Sequence, residues 1–194
     1  MNKYEKSVLD LLAYTEGTLG VSQNGYNVTV NYYKIVGWTD DTNIAHGNLN
    51  WKQKIGKLKK KTGEYVTLYS TAAGRYQYIY KSWVAINGKN IPMTKVNQDK
   101  AAIKSINNRL KQTDLESRSV KLNELEDKEK FFIFLNKIAR EWASIPLSKT
   151  FIVEGKKVYK GSSYYSSDGV NTAKKTPDIL YDVFIKALKI YENK

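Results

Sequence analysis

Hydrophobic residues recur at helical spacing near the start of the chain and again through much of its second half. The apolar face of the first predicted helix is formed by Tyr4, Val8, Leu9, Leu11, Leu12 and Ala13. Further helices are predicted in the stretches GRYQYIYKSWVAI from Gly74, NQDKAAIKSINNRL from Asn97 and KEKFFIFLNKIAREWASIP from Lys128. The last helix follows Thr176, a capping residue, and has Pro177 in its first position.

Strand signals lie mainly in the first half of the chain. The β-branched and aromatic run NGYNVTVNYYKIVGW, Asn24 to Trp38, predicts one or two strands after an Asn-Gly turn, and TGEYVTLYS predicts a short strand ending at Ser70. The lysine-rich stretch between them is predicted to be a loop, and residues 147–175 form the longest irregular segment. Small strands followed by several helices indicate an α+β fold.

The composition favours one compact domain over residues 1–194. With 194 residues, 41% of them hydrophobic, the chain can bury one sizeable core and has little material for a second. There is no cysteine, and the single histidine, His46, lies in no zinc-binding context, so we expect no metal site. No apolar run is long enough to span a bilayer, and the N-terminus lacks a secretory signal.

The chain carries a net charge of +13, from 32 Lys and Arg against 19 Asp and Glu. Such an excess attracts polyanions, and nucleic acid, anionic lipid and the bacterial cell wall are all candidates. Part of the charge lies in a lysine-rich run, Lys52 to Lys61, whose role the sequence leaves open. A basic surface without a specific partner explains the charge equally well.

Glu16 stands where a carboxylate is unexpected. It follows Leu12 by one helical turn on the apolar face of the first helix, and Gly17 after it suits the left-handed conformation that ends a helix. Burial and the negative end of the helix dipole both disfavour an ionised carboxylate. A carboxyl group kept protonated near neutral pH can act as a general acid. The alternative is a Glu at a frayed helix end that simply reaches water.

Five short segments, in order along the chain, share a resemblance to one family. They are LDLLAYTEGT from Leu9, NGYNV from Asn24, STAAGRYQ from Ser70, NQDKAA from Asn97 and EWASIP from Glu141. LDLLAYTEGT resembles the catalytic segment of the phage lambda endolysin family, the lambda-type lytic transglycosylases, whose helix likewise ends in Glu-Gly-Thr. STAAGRYQ is the most specific of the five matches, and their common order identifies the chain as a member.

The resemblance implies a lysozyme-like α+β fold, in which a small β-sheet region and a mainly helical lobe flank a cleft for the glycan strands of peptidoglycan. It also implies cleavage of the β-1,4 bond between N-acetylmuramic acid and N-acetylglucosamine, with Glu16 as the catalytic acid and then the base. The product would be a 1,6-anhydromuramoyl end, formed without a metal, a cofactor or water.

The same match gives roles to further residues. The sugar-contacting residues that it implies are Thr18, Tyr76, Gln77, Ser144, Tyr164 and Tyr165. The expected structural supports of the cleft are Gly17, Gly74 and Arg75, the last by pairing with a buried carboxylate. The chain departs from the family within residues 147–175, where FIVEGKKVYKGSSYYSSDG is longer and differently spaced. The choice between the two tyrosines therefore stays open.

Hydrolytic phage lysozymes share the Glu-ending helix but carry an Asp and a Thr further on, at places that hold Gly25 and Asn31 here. The second carboxylate of those enzymes is therefore missing. Asp40 and Asp41 could substitute for it, which leaves a hydrolytic muramidase as the nearest alternative to a lytic transglycosylase. A basic nucleic-acid-binding domain is the more distant alternative.

The expected partner is the glycan strand of bacterial peptidoglycan, with no nucleic acid bound and the chain acting as a monomer. We expect synthesis in the cytoplasm of the host bacterium, without a signal peptide. Action on the wall would follow release, with the protein either a free endolysin or an enzyme carried on the virion.

Overall fold

A computed structural model describes residues 1–30, 53–60, 62–166 and 172–193. The chain forms two compact units. We call residues 1–15 and 105–194 the helical unit, and residues 16–104 the Glu16 unit. Helices combined with small two-stranded sheets confirm the predicted α+β class. None of the described helices has the length and apolar character that crossing a membrane would require.

The helical unit is built on α1 (Lys3–Thr15), α4 (Lys128–Ile138) and α5 (Pro177–Glu192). The predicted apolar face of α1 is buried at Val8, Leu9, Leu11, Leu12 and Ala13. Tyr191 of α5 donates its hydroxyl to an oxygen of Asp10 on α1 at 2.7 Å. The ring of Phe131 on α4 lies 5.4 Å from that of Phe184 on α5, both fully buried. Helix α5 thus packs against both other helices through aromatic side chains.

Side-chain caps explain where α4 and α5 begin. Asp127 accepts hydrogen bonds from the backbone N–H groups of Glu129 and Lys130. Thr176 accepts one from the N–H of Ile179, which confirms the capping role predicted for it. Each cap satisfies backbone donors that the first turn of a helix leaves without a partner.

Two features of the helical unit differ from the sequence pattern. Helix α4 ends at Ile138, whereas the apolar pattern predicted a helix that continued to Trp142. The residues after Ile138 form turns, and Trp142 is still buried in the core, with 4% of its surface exposed. The segment predicted to be irregular contains a hairpin of β3 (Phe151–Val153) and β4 (Lys156–Val158). A Glu-Gly turn with positive φ at both residues joins these strands, a geometry that matches strand twist.

The Glu16 unit contains the hairpin of β1 (Gln53–Lys59) and β2 (Tyr65–Ser70), then α2 (Tyr80–Asn87) and most of α3 (Lys95–Leu110). Strand β2 confirms the strand predicted there, but β1 occupies lysine-rich sequence that was predicted to be a loop. The side chains of Lys54 and Lys57 are exposed. Because a two-stranded hairpin can leave side chains in water on either face, lysines can occupy strand positions there without burying their charge.

The helix predicted from Gly74 begins only at Tyr80. Gly74 and Gln77 have φ of +77° and +49°, which helical backbone does not allow, and they form a turn instead. In the first predicted strand region, Thr29 pairs with Ala73 in an isolated bridge. Several predicted features lie outside the described residues, namely residues 31–38 of that region, His46, Asp40 and Asp41.

Candidate active site

Glu16 is the first residue after α1. The helix ends at Thr15, one residue before the predicted end, and Thr15 donates its hydroxyl to the carbonyl oxygen of Leu12 at 2.8 Å. Gly17 has φ of +72°, which confirms the left-handed turn predicted for it. Glu16 itself is half-buried.

Thr18 anchors the turn that carries Glu16. Its side chain is fully buried and donates a hydrogen bond of 2.5 Å to the carbonyl oxygen of Arg75. Gly25 packs closely against Thr18, because a Cβ placed on Gly25 would lie 2.6 Å from Thr18 Cβ. Three of the segments that matched the family, which are far apart in sequence, therefore meet at Thr18.

Gly74 and Gln77 close the turn that presents Arg75. The backbone N–H of Gly74 donates to the carbonyl oxygen of Val28 at 2.8 Å. The carbonyl oxygen of Gly74 in turn accepts both the backbone N–H of Gln77, at 3.2 Å, and its side-chain Nε2, at 2.8 Å. A side chain on Gly74 would collide with Gln98. Gly74 therefore allows the close approach of Gln98, and Gln77 braces the same turn while staying half-buried.

Arg75 is 2% exposed and contacts other groups inside the protein. Its Nη1 donates to the carbonyl oxygen of Asn24 at 2.9 Å. The guanidinium carbon lies 5.1 Å from the ring centroid of Tyr26 and 5.9 Å from that of Tyr76, within the range of cation–π attraction. The carboxylate of Asp99 is bound to the hydroxyl ends of these same two rings.

Tyr26 and Tyr76 share one acceptor. Both hydroxyls donate to Oδ1 of Asp99 at 2.7 Å, and the rings meet edge to face with 6.4 Å between their centroids. Burial, together with the hydrogen bond to Asp99, raises the pKa of the Tyr26 hydroxyl far above its usual range. Burial and the Asp99 charge do the same to the pKa of Tyr76. Both hydroxyls therefore stay protonated and remain donors.

These contacts correct two of the predicted roles. We expected Thr18 and Tyr76 to contact a sugar, but they are 0% and 1% exposed and their hydroxyls donate to groups inside the protein. A buried hydroxyl needs an internal partner, and both side chains have found one. Of the predicted residues in this unit, Glu16 and Gln77 keep side-chain surface that a sugar could reach.

Gln98 and Asp99 were not assigned by sequence reasoning, although both lie in the matching segment NQDKAA. Gln98 is 1% exposed; its Oε1 accepts the N–H of Arg75 at 2.8 Å, and its Nε2 donates to the carbonyl oxygens of Tyr26 and Met93. The available signal was a polar residue on the buried face of an otherwise apolar helix pattern. A buried amide at such a position must make hydrogen bonds to other segments.

The other predicted sugar contacts, Ser144, Tyr164 and Tyr165, belong to the helical unit. Ser144 and Tyr164 are half-buried, and Tyr165 is 37% exposed. The two tyrosine rings meet edge to face at 4.9 Å, and the hydroxyl of Tyr165 donates to the carbonyl oxygen of Arg140 at 2.6 Å. The guanidinium of Arg140 lies 5.4 Å from the centre of the Tyr164 ring. The arrangement presents a small aromatic and basic surface.

Comparison with known proteins extends these observations. Two solved structures of the bacteriophage lambda lysozyme share the fold. One, complexed with a chitohexasaccharide, aligns with a TM-score of 0.57 at 20% identity, covering 96% of this chain and 95% of the other. The second aligns with a TM-score of 0.53 at 18% identity and the same coverage. A search of curated proteins gives no match.

The fold is therefore lysozyme-like, as the sequence predicted. The family described as Endolysin matches residues 6–172, which include all the predicted site residues. The chain belongs to this endolysin family, which confirms the resemblance found in the sequence. As an endolysin it is a peptidoglycan-cleaving enzyme.

Proposed function

We propose that the chain is a lytic transglycosylase that cleaves the bond between N-acetylmuramic acid and N-acetylglucosamine, with Glu16 as the only catalytic carboxylate. Two features of Glu16 support the role. It is half-buried at the end of α1, and the buried bond between Thr18 and Arg75 fixes the turn that carries it. A general acid must be held within hydrogen-bond reach of the atom that it protonates.

The observation that carries the proposal is the packing of Gly25. Glycoside hydrolases ordinarily use a second carboxylate, and the matching position in hydrolytic phage lysozymes is the place of Gly25. Here that residue has φ of +86° and lies so close to Thr18 that any side chain would force the turn to move. An aspartate at this place would therefore require Thr18, and with it the turn that holds Glu16, to shift.

Other carboxylates in the described part of the Glu16 unit have different tasks. Across residues 16–30, 53–60 and 62–104 the acidic residues besides Glu16 are Glu64 and Asp99. Glu64 is exposed and pairs with Lys60 at 2.8 Å beside the hairpin turn. Asp99 accepts two tyrosine hydroxyls. Each of these two carboxylates thus makes contacts within the protein.

The reaction then needs one carboxyl group used twice. Glu16 donates its proton to the glycosidic oxygen as the bond from that oxygen to C1 of the muramoyl residue breaks. The resulting carboxylate accepts the proton of the muramoyl C6 hydroxyl, and O6 bonds to C1. Glu16 is protonated again and no water is consumed. Because O6 is tethered to the same sugar, proximity favours it over a solvent molecule.

The substrate class rests on the family and on the relative. The lambda lysozyme structure holds a chitohexasaccharide, a β-1,4-linked chain of amino sugars, which supports a glycan strand as the substrate here. We propose Gln77, Ser144, Tyr164 and Tyr165 as sugar contacts, since each keeps accessible surface. The enzyme would meet this substrate after leaving the host cytoplasm or when carried on a virion.

Digestion of purified peptidoglycan in oxygen-18 water tests the mechanism. The new muramoyl ends should be unlabelled anhydro sugars by mass spectrometry, and borohydride should reduce no new termini.

Glu16→Gln should abolish turnover with an unchanged circular dichroism spectrum, because the amide has nearly the same shape but cannot supply the proton. Labelled, reducible ends would show a hydrolytic muramidase. In that case activity lost in Asp40→Asn or Asp41→Asn would identify its second carboxylate.

A further inference from the structure

Asp99 lies at the centre of a hydrogen-bond network behind the Glu16 turn. One oxygen of its carboxylate accepts the hydroxyls of both Tyr26 and Tyr76, each at 2.7 Å. Hydrogen bonds to an ionised acceptor are stronger than those between neutral groups. Since the raised pKa of each tyrosine keeps its proton in place, the two rings are held from one point on α3.

The two rings in turn hold Arg75. Its guanidinium lies over both of them, at 5.1 Å and 5.9 Å from their centroids, and its Nη1 donates to the carbonyl oxygen of Asn24. Tyr76 is also the next residue in the chain, so its backbone nitrogen belongs to the same peptide group as the carbonyl oxygen of Arg75. Asp99 therefore acts on Arg75 through the rings of Tyr26 and Tyr76, and through the peptide bond between Arg75 and Tyr76.

The Arg75 backbone passes this constraint to the catalytic turn. Its N–H donates to Gln98 Oε1 at 2.8 Å, and its carbonyl oxygen accepts the hydroxyl of Thr18 at 2.5 Å. Gln98 and Asp99 are neighbours on α3, so one short piece of helix holds both the amide and the side-chain surroundings of Arg75. Thr18 is two residues from Glu16, so the hydrogen bond from Thr18 to the Arg75 carbonyl oxygen holds the Glu16 turn in place.

We propose that Asp99 is a positioning residue for the reaction, acting on Glu16 through the hydroxyls of Tyr26 and Tyr76 and the backbone of Arg75. The inference rests on the function proposed above, in which Glu16 is the general acid. Small displacements of such a group reduce the rate steeply, since the acid must lie within hydrogen-bond reach of its target. Removing Asp99 should therefore slow chemistry more than it weakens substrate binding.

The experiment measures kcat and KM on soluble glycan strands, at a temperature at which circular dichroism shows each variant fully folded. Asp99→Ala should lower kcat at least about tenfold, within the roughly hundredfold that a 1 Å misplacement can cause, and change KM less than about threefold. Asp99→Asn, whose amide oxygen can still accept both hydroxyls, should fall between wild type and Asp99→Ala. If the alanine variant fails to fold, the asparagine and tyrosine variants provide the test.

A mutant cycle shows whether the effect passes through the tyrosines. The double variant Tyr26→Phe/Tyr76→Phe should lower kcat, and adding Asp99→Ala to it should lower kcat no further, because the hydroxyls through which Asp99 acts are already gone. Asp10→Asn is the matched control, since Asp10 accepts a tyrosine hydroxyl at the same 2.7 Å in the helical unit. Its kcat should stay at the wild-type value.

Three outcomes would overturn the inference alone. Folded Asp99→Ala could keep the wild-type kcat and lose only melting temperature, or the losses of kcat in the mutant cycle could be additive. The third outcome is a loss of kcat in Asp10→Asn equal to that in the Asp99 variant. Wild-type protein without turnover would overturn the proposed function and this inference together. Reducing ends from an active wild type would overturn the transglycosylase chemistry only, because a hydrolase also needs Glu16 in position and the kcat comparison would still decide the role of Asp99.

Discussion

Gly25 and Gly20 have the same left-handed backbone but different surroundings. Their φ angles are +86° and +79°, so an added side chain is strained at both positions. A Cβ on Gly20 would meet nothing within 4 Å, whereas one on Gly25 would lie 2.6 Å from Thr18 Cβ and 2.8 Å from its carbonyl oxygen. The pair therefore separates the strain of the backbone from the cost of crowding the catalytic turn.

We expect Gly20→Ala to lower the free energy of unfolding by about 1–2 kcal/mol, the usual cost of this backbone region. Gly25→Ala should lower it by about a further 1–3 kcal/mol from overpacking, and it should also reduce turnover because Thr18 must shift. Urea unfolding and peptidoglycan digestion measure the two effects. Equal destabilisation by the two variants would contradict the crowding that the structure shows at Gly25.

At the scale of elements, a charged cluster fastens the segment between α3 and α4. Glu116 is 5% exposed, and both its oxygens accept from Arg118, at 2.9 and 3.0 Å, while Lys149 lies 2.9 Å from one of them. The buried Lys137 of α4 donates to the carbonyl oxygens of Gln112 and Glu116 at 2.6 and 2.7 Å. Lys137 thus ties this segment to α4 and Lys149 ties it to the chain just before β3, while the bond from Arg118 lies within the segment.

The cluster predicts a specific loss of stability in acid. Hydrogen bonds from Arg118, and next from Lys149, lower the pKa of Glu116 from 4.5 to about 2. Because the folded-state pKa is the lower one, this stabilisation is complete above pH 4.5 and disappears as the pH falls toward 2. Wild type should exceed Glu116→Gln in unfolding free energy by about 2 kcal/mol at pH 6, after allowance for its half-exposed partners, and by almost nothing at pH 2. Urea titrations at several pH values measure the gap, and a gap that does not change with pH would contradict the cluster.

At the scale of the whole molecule, the net charge of +13 should act on the approach to the wall. Exposed charges are screened over about 10 Å at 0.1 M ionic strength, so added salt should weaken binding to whole sacculi and slow their digestion. Short soluble glycan fragments carry less charge and should respond much less. Rates on both substrates across a salt series, with Glu16→Gln used to measure binding alone, test this. The same salt dependence for sacculi and fragments would argue against a steering role.

Local pattern was sufficient for several features of this protein. The apolar periods located the five α-helices of the described residues, the Thr-Pro pair marked the start of α5, and Gly17 marked the turn that follows α1. Five short segments in order were enough to identify the family. These features depend on neighbours within one or two turns of chain, where spacing and backbone preference act directly. The β1 strand was not predicted because it is stabilised by pairing with β2, and its lysine-rich sequence has no apolar alternation that would indicate a strand.

Tertiary structure alone decided what the polar side chains around Glu16 do. A threonine or tyrosine hydroxyl in a family motif can bind a sugar or a distant part of its own chain, and both uses need the same residue type. Only the fold brings Arg75 to Thr18 and Asp99 to Tyr26 and Tyr76, and it thereby buries these hydroxyls in the protein. The crowding at Gly25 likewise depends on a turn folded against it. A buried polar group forms hydrogen bonds with the groups that packing places next to it, and packing depends on the whole chain.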